Sequence, residues 1–222
     1  MRLILRASPS RVSAKMIDRL LAKRIVPVVV LDDAEDAEPL AKALLDGGLD
    51  VIEVTFRTAA AEESIRRIAK AFPEILLGAG TLLETQQVEQ AKAAGASFGL
   101  APGLNPEIVA KAKSVGMEFS PGVMTPGEIE AALALGCKLQ KFFPAMAAGG
   151  PAMLKALAGP YSHTGVKFVP TGGINRANMG DFLELPVVAA IGGSWMVDRK
   201  LIQSGNWAEI TRLTKDALEA AS

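Results

Sequence analysis

Of its 222 residues the chain spends one on cysteine, one on histidine and one on tyrosine. A single cysteine, Cys137, excludes an intramolecular disulfide; it opens an apolar run and reads as a small core residue. With His163 and Cys137 as the only ligands of their kind, a zinc site of ordinary composition is excluded by counting. No acidic cluster suggests a carboxylate-held magnesium ion. Excess charge is missing too: basic and acidic residues stand at 24 each, for a formal net charge of zero. Without a basic stripe, nucleic acid is not the expected partner. Arg66 and Arg67 fall in a helical pattern and read as a solvated face. No apolar run approaches the ~20 residues of a membrane span. Residues 1–15 lack an apolar core followed by a cleavage signature. A cytoplasmic protein with no membrane partner is expected.

Half of the chain is hydrophobic, enough for a sizeable core. The length is too short for two ordinary enzyme domains, so residues 1–222 read as one domain. Eight short β-type runs alternate with helical patterns: 25–31, 50–56, 75–80, 97–100, 118–120, 138–143, 166–170 and 187–191. Helical patterns cover 36–45, 59–71, 84–94, 106–115 and 126–135. Pro106 and Pro126 stand at first helical positions, after Asn105 and Thr125 as N-caps. Gly47, Gly95, Gly116 and Gly136 suit helix ends. Strand starts recur about every 20–28 residues, a βα repeat that predicts a parallel sheet. Eight units favour closure into a (β/α)₈ TIM barrel over an open doubly wound sheet. A typical barrel takes ~250 residues, and this length lies within the range. One extra helix, from Ser10 to Ala22, precedes the first strand, and another, from Trp207 to Ala221, ends the chain.

In such a barrel the chemistry sits at the C-terminal strand ends. In the second run Ile52, Val54 and Phe56 share one face; Val51, Glu53, Thr55 and Arg57 share the other. The apolar set suits the helix layer, so the polar set faces inward. Buried charges need a partner or a use. Glu53 and Arg57 form either a structural ion pair or a general acid/base beside a carboxylate-binding guanidinium. The third run ends in Gly78-Ala79-Gly80-Thr81, which allows close backbone approach and offers a hydroxyl. In the sixth, Lys141 stands among Leu139, Phe142 and Phe143. It is either a lysine reaching the barrel mouth or a Schiff-base nucleophile with Glu53 as its acid/base. Thr171-Gly172-Gly173 follows the seventh run and Gly192-Gly193-Ser194 the eighth. Loops at these places recurrently bind phosphate; the alternative is two tight turns.

With these residues assembled, the chain resembles the 2-keto-3-deoxy-6-phosphogluconate (KDPG) and 4-hydroxy-2-oxoglutarate (KHG) aldolase family. The matching segments are Ile52-Glu53-Val54-Thr55-Phe56-Arg57-Thr58, Gly78-Ala79-Gly80-Thr81, Ala101-Pro102-Gly103, Ser120-Pro121-Gly122, Lys141-Phe142-Phe143-Pro144-Ala145, Pro170-Thr171-Gly172-Gly173-Ile174 and Ile191-Gly192-Gly193-Ser194-Trp195. The resemblance implies Lys141 as the Schiff-base lysine and Glu53 as the general acid/base. It implies Arg57 and Thr81 as contacts of the pyruvate moiety, with Pro102 and Phe143 as pocket walls. Gly172, Gly173, Gly193 and Ser194 are the implied phosphate binders, with Thr171 beside them. A homotrimer without metal or other cofactor is implied as well. The expected reaction is cleavage of KDPG to pyruvate and glyceraldehyde 3-phosphate, with KHG as a further substrate. Three other readings stay open: an aldolase for the galactonate-configured isomer, a phosphate-binding isomerase or epimerase, and a barrel that binds without turnover.

Overall fold

A computed structural model describes residues 11–221 of the chain. Nine parallel strand segments run β1 Ile25–Val29, β2 Val51–Thr55, β3 Leu76–Gly80, β4 Phe98–Leu100, β5 Glu118–Ser120, β6 Gly122–Val123, β7 Leu139–Phe142, β8 Lys167–Pro170 and β9 Ile191–Gly193. The helices are α1 Arg11–Lys23, α2 Ala37–Asp46, α3 Ala61–Ala71, α4 Thr85–Ala94, α5 Pro106–Ser114, α6 Pro126–Ala134, α7 Gly150–Ala158, α8 Met179–Leu183, α9 Arg199–Gln203 and α10 Trp207–Ala221. Both expected Pro starts form. Asn105 accepts a hydrogen bond from the Glu107 N–H, and Thr125 and Glu128 make a reciprocal capping box; each cap stabilises by about 1 kcal/mol.

The strands form a six-stranded sheet in the order β5-β4-β3-β2-β1-β9 and a three-stranded sheet in the order β6-β7-β8. Pro121 separates β5 from β6. β5 is the expected strand 118–120, whereas β6 was not expected; proline has no N–H to give to a ladder, so the two segments stay separate. The eighth expected strand, 187–191, is corrected as well. Val188 makes only an isolated bridge with Phe168, and the regular strand begins at Ile191. A second bridge, Thr171 to Gly192, links the edge of the small sheet to β9. The sheets are curled: Glu53 of β2 and Lys141 of β7, from different sheets, meet face to face.

Helix α1 was expected from Ser10, which lies outside the described residues. Its Arg19 donates to Asp50 Oδ2 at 2.7 Å and to the Glu74 carbonyl at 2.8 Å. Asp50 and Glu74 precede β2 and β3, so α1 ties down the N-terminal strand ends, opposite the loops discussed below. Helices α7, α8 and α9 were not expected. Gly149-Gly150-Pro151 reads as a turn, and the other two helices are five residues each. Gly47 ends α2 in right-handed backbone; Gly48 takes the left-handed turn at φ 93°. A methyl on Gly47 would lie 2.6 Å from the Thr214 side chain, so packing against α10 sets that residue.

Every residue of β2 is buried, as are Phe98, Phe142, Phe168 and Phe182. Truncating such a phenylalanine to alanine costs roughly 3–5 kcal/mol. Cys137 is 6% exposed, and burial pushes its thiol up to about 11. Its place in the core matches the expectation, whereas His163 lies exposed on a short turn.

Candidate active site

Glu53 sits in the middle of β2 and is 1% exposed; Lys141 sits on β7 and is 5% exposed. Lys141 Nζ donates to Glu53 Oε1 at 3.2 Å. The two residues come from strands that share no sheet, so they meet across the interior. Lys141 Nζ also lies 5.7 Å from the centre of the Phe143 ring. An amine and a carboxylate in direct contact, apolar walls around them, suit nucleophilic attack with proton transfer.

Gly80 makes room for this pair. A methyl placed there would lie 2.0 Å from Glu53 Oε1. Gly78 serves packing instead, since a methyl would meet the Phe98 ring at 2.3 Å. Thr81, the next residue, takes left-handed backbone at φ 58°. For a β-branched residue that conformation stores roughly 1–3 kcal/mol and is found mostly where function holds it.

Above the pair, at the C-terminal strand ends, lies a cavity of about 160 Å³. Arg57, Phe143, Thr171, Gly172, Gly173, Gly193 and Ser194 all line it, with Val28, Ile174 and Gly192. Seven of the residues singled out in the sequence are thus brought together from four strand ends, those of β2, β7, β8 and β9. Phe143 joins the cavity to the Lys141–Glu53 pair. Arg57 Nε donates to Thr55 Oγ1 at 3.1 Å, and Thr55 Oγ1 donates to the Val29 carbonyl at 2.8 Å. Arg57 was expected to be buried but is exposed. Strand β2 ends two residues earlier, so the guanidinium stands at the mouth. Pro102 and Thr81 lie outside the cavity lining. Pro102 is held near Lys141 through Gly122: a methyl on Gly122 would lie 2.0 Å from the Pro102 carbonyl oxygen, and Gly122 is level with Lys141.

The two glycine pairs differ. Gly172 and Gly173 have left-handed backbone, φ 104° and 76°. Gly192 and Gly193 do not. A methyl on Gly192 would lie 2.3 Å from Thr171 Oγ1, and one on Gly193 would lie 1.9 Å from the Trp195 ring. The chain after β9 turns through a three-residue 3₁₀ segment, Trp195–Val197, rather than a full helix.

A second depression of about 470 Å³ lies on the outer helices and is lined by Glu35, Glu38, Pro39, Lys42, Arg67 and Phe72. It gathers no strand-end residue, and Glu35, Glu38 and Lys42 are exposed. The strand-end residues singled out in the sequence line the smaller cavity instead. Among the described residues, no group of three or more His, Cys, Asp and Glu is placed to hold a metal ion. No helix among them is long and apolar enough to cross a membrane.

Residues 16–213 match the family model described as KDPG and KHG aldolase. The chain belongs to that family. It is 46% identical over 210 residues to the 2-dehydro-3-deoxy-phosphogluconate aldolase of Haemophilus influenzae, covering 95% of this chain and 98% of the relative. It is 45% identical over 197 residues to the KHG/KDPG aldolase of Escherichia coli K12, covering 89% and 92%. Its fold is similar to the crystal structure of KDPG aldolase from Legionella pneumophila, in which pyruvate was captured at low pH as a covalent carbinolamine intermediate. That likeness has a TM-score of 0.86 at 42% identity and covers 90% of this chain and 96% of the other. For this family member, two residues went unselected in the sequence although their strands were read correctly. Gly80 was taken only for backbone approach, and Ser120 only as part of a motif. Strand register was the missing signal for both.

Proposed function

We propose that the chain is a carbon–carbon lyase of the Schiff-base type that cleaves KDPG to pyruvate and glyceraldehyde 3-phosphate. The observation that carries this reading is the buried contact of Lys141 with Glu53 beneath the cavity. Lys141 Nζ attacks the C2 ketone and forms a carbinolamine. Glu53 supplies the proton with which the C2 hydroxyl leaves as water, giving an iminium. Glu53, directly or through water, then takes the C4 hydroxyl proton. The C3–C4 bond breaks, its electrons pass into the iminium, and the aldehyde phosphate leaves. The enamine is protonated at C3, and water releases pyruvate and the free amine. Arg57 and Thr81 orient the pyruvate portion, a positioning contribution, with Pro102 and Phe143 as walls. Gly172, Gly173, Gly193 and Ser194, beside Thr171, hold the phosphate far from the broken bond.

The scaffold we propose is a single domain spanning residues 1–222. It is a closed (β/α)₈ barrel in which β5 and β6 count as one interrupted strand and α1 is additional. A metal-free, cytoplasmic homotrimer completes the proposal; chelator-resistant activity tests the first of these properties. Turnover of KHG alongside KDPG fits the names of the relatives. The glycine loops around the cavity favour the phosphorylated substrate. An isomerase or epimerase would explain the loops but leaves Lys141 without a nucleophilic task.

The deciding experiment is borohydride reduction with pyruvate, followed by peptide mapping. A pyruvyl adduct on Lys141 is expected. Full turnover without any trappable adduct would sink the scheme.

A further inference from the structure

Ser120 closes β5, is 2% exposed, and its Oγ has no protein hydrogen-bond partner. Buried polar atoms are rarely left in that condition, and each instance calls for a reason. Two others exist among the described residues, Asp50 Oδ1 and Gln140 Oε1. Asp50 is engaged through its other oxygen by Arg19. The Gln140 amide donates to the carbonyls of Ile129 and Cys137, under α6 and away from the interior.

Ser120 is different in its direction. It pairs with Leu100 across β4. The match of Ala79 with Gly99 brings Leu100 level with Gly80, and Gly80 pairs with Thr55. Thr55 shares its face with Glu53, two residues earlier. On the other side, Gly122 pairs with Lys141. The backbone stays extended through Pro121: the Ser120 carbonyl accepts from Ala101 N on one side, and the Pro121 carbonyl accepts from Lys141 N on the other. Ser120 therefore points into the interior that holds Glu53 and Lys141.

We infer that Ser120 is a positioning residue for the water of the Schiff-base cycle. This rests on Lys141 being the nucleophile. When the carbinolamine dehydrates, the C2–O bond breaks and Glu53 delivers the proton, so oxygen departs as neutral water. Ser120 Oγ holds that water. That water exchanges with bulk, and in the return step a water at the same place attacks C2 of the iminium and Glu53 takes its proton. No bond to serine forms. A hydroxyl suits the task because it both donates and accepts, and a buried water needs two to four polar partners.

Two exchange reactions of pyruvate, followed on the full-length protein, test this. Loss of ¹⁸O from [2-¹⁸O]pyruvate reports dehydration and rehydration. Uptake of deuterium at C3 reports the enamine. Ser120→Ala is expected to slow oxygen loss about tenfold, the effect of roughly one hydrogen bond. The deuterium taken up per oxygen lost is expected to rise, because a slowly rehydrated iminium passes through the enamine more often. A merely structural role would slow both exchanges by one factor. That result, or oxygen loss at the unaltered rate, overturns the inference. Should Ser120→Ala fail to fold by circular dichroism, Ser120→Cys, of similar size and weaker hydrogen bonding, is measured with the same expectation. If the unaltered protein shows neither exchange, the Schiff-base reading falls and takes this inference with it. Two active exchanges with an unchanged ratio in the variant sink the Ser120 inference alone.

Discussion

On the outer surface of α3, Arg66 forks between Glu62, at 2.6 Å, and Glu63. In the interior, Lys141 meets Glu53 at the longer distance of 3.2 Å. The charges are of the same kind, yet the side chains are 48% and 35% exposed for Arg66 and Glu62, against 6% and 1% for Lys141 and Glu53. Water solvates and salt screens the outer pair, so its short contact carries little. The inner pair has lost its hydration, which costs several kcal/mol per ion before any attraction is counted. A fold keeps such a pair where it has a use. Environment, more than contact length, separates a functional pair from a decorative one.

The contrast is broken if the inner pair proves dispensable. Lys141→Met is expected to lower the turnover of KDPG by at least about 10³-fold, read in a coupled assay for pyruvate. A smaller perturbation acts through the neighbour. Gly80→Ala places a methyl 2.0 Å from Glu53 Oε1, and the carboxylate must shift. A displacement of that size costs about 10²-fold in rate. The same variant is expected to lose about 1–3 kcal/mol in urea unfolding through overpacking.

Cys137 sharpens the contrast from another side, as a buried ionisable group with no oppositely charged hydrogen-bond partner. Its folded thiol keeps its proton up to about 11, against 9.0 for an ordinary thiol. Alkylation of the native protein at pH 8 is therefore expected to run about 100-fold slower than in urea, in step with the thiolate fraction. The sign for stability follows. The folded value is the higher one, so the contribution is whole below pH 9 and lost as pH rises toward 11. Cys137→Ala removes that alkaline slope in unfolding measured against pH. Smallest of all, Arg66→Ala is expected to leave both kcat/KM and the melting midpoint unchanged. A clear loss of activity there would show that exposure is a poor guide in this molecule.

Much of the scaffold was legible because its signals are local. Pro106 and Pro126 start helices, Asn105 and Thr125 cap them, and the two-residue period of β2 assigns its faces. Lys141 and Glu53 stood out because a charged residue inside an apolar strand is conspicuous. What stayed illegible depends on neighbours distant in the chain. Gly172-Gly173 and Gly192-Gly193 look alike as text. The first pair is needed for its left-handed backbone; the second is needed because Thr171 and Trp195 occupy the space of a side chain. Arg57 was placed indoors by alternation, but alternation holds only while the strand lasts, and β2 stops at Thr55.

Residue order along the chain was enough to specify the alternation of strands and helices, the caps, and the polar face of β2. Each of these is settled by side chains within a few positions of one another. It was the curl of the sheets that brought together an amine and a carboxylate 88 residues apart. The same curl aimed a lone hydroxyl at position 120 into their company and gave Gly80 its purpose. Such distances are set by how whole strands pack, and no short stretch of chain encodes them.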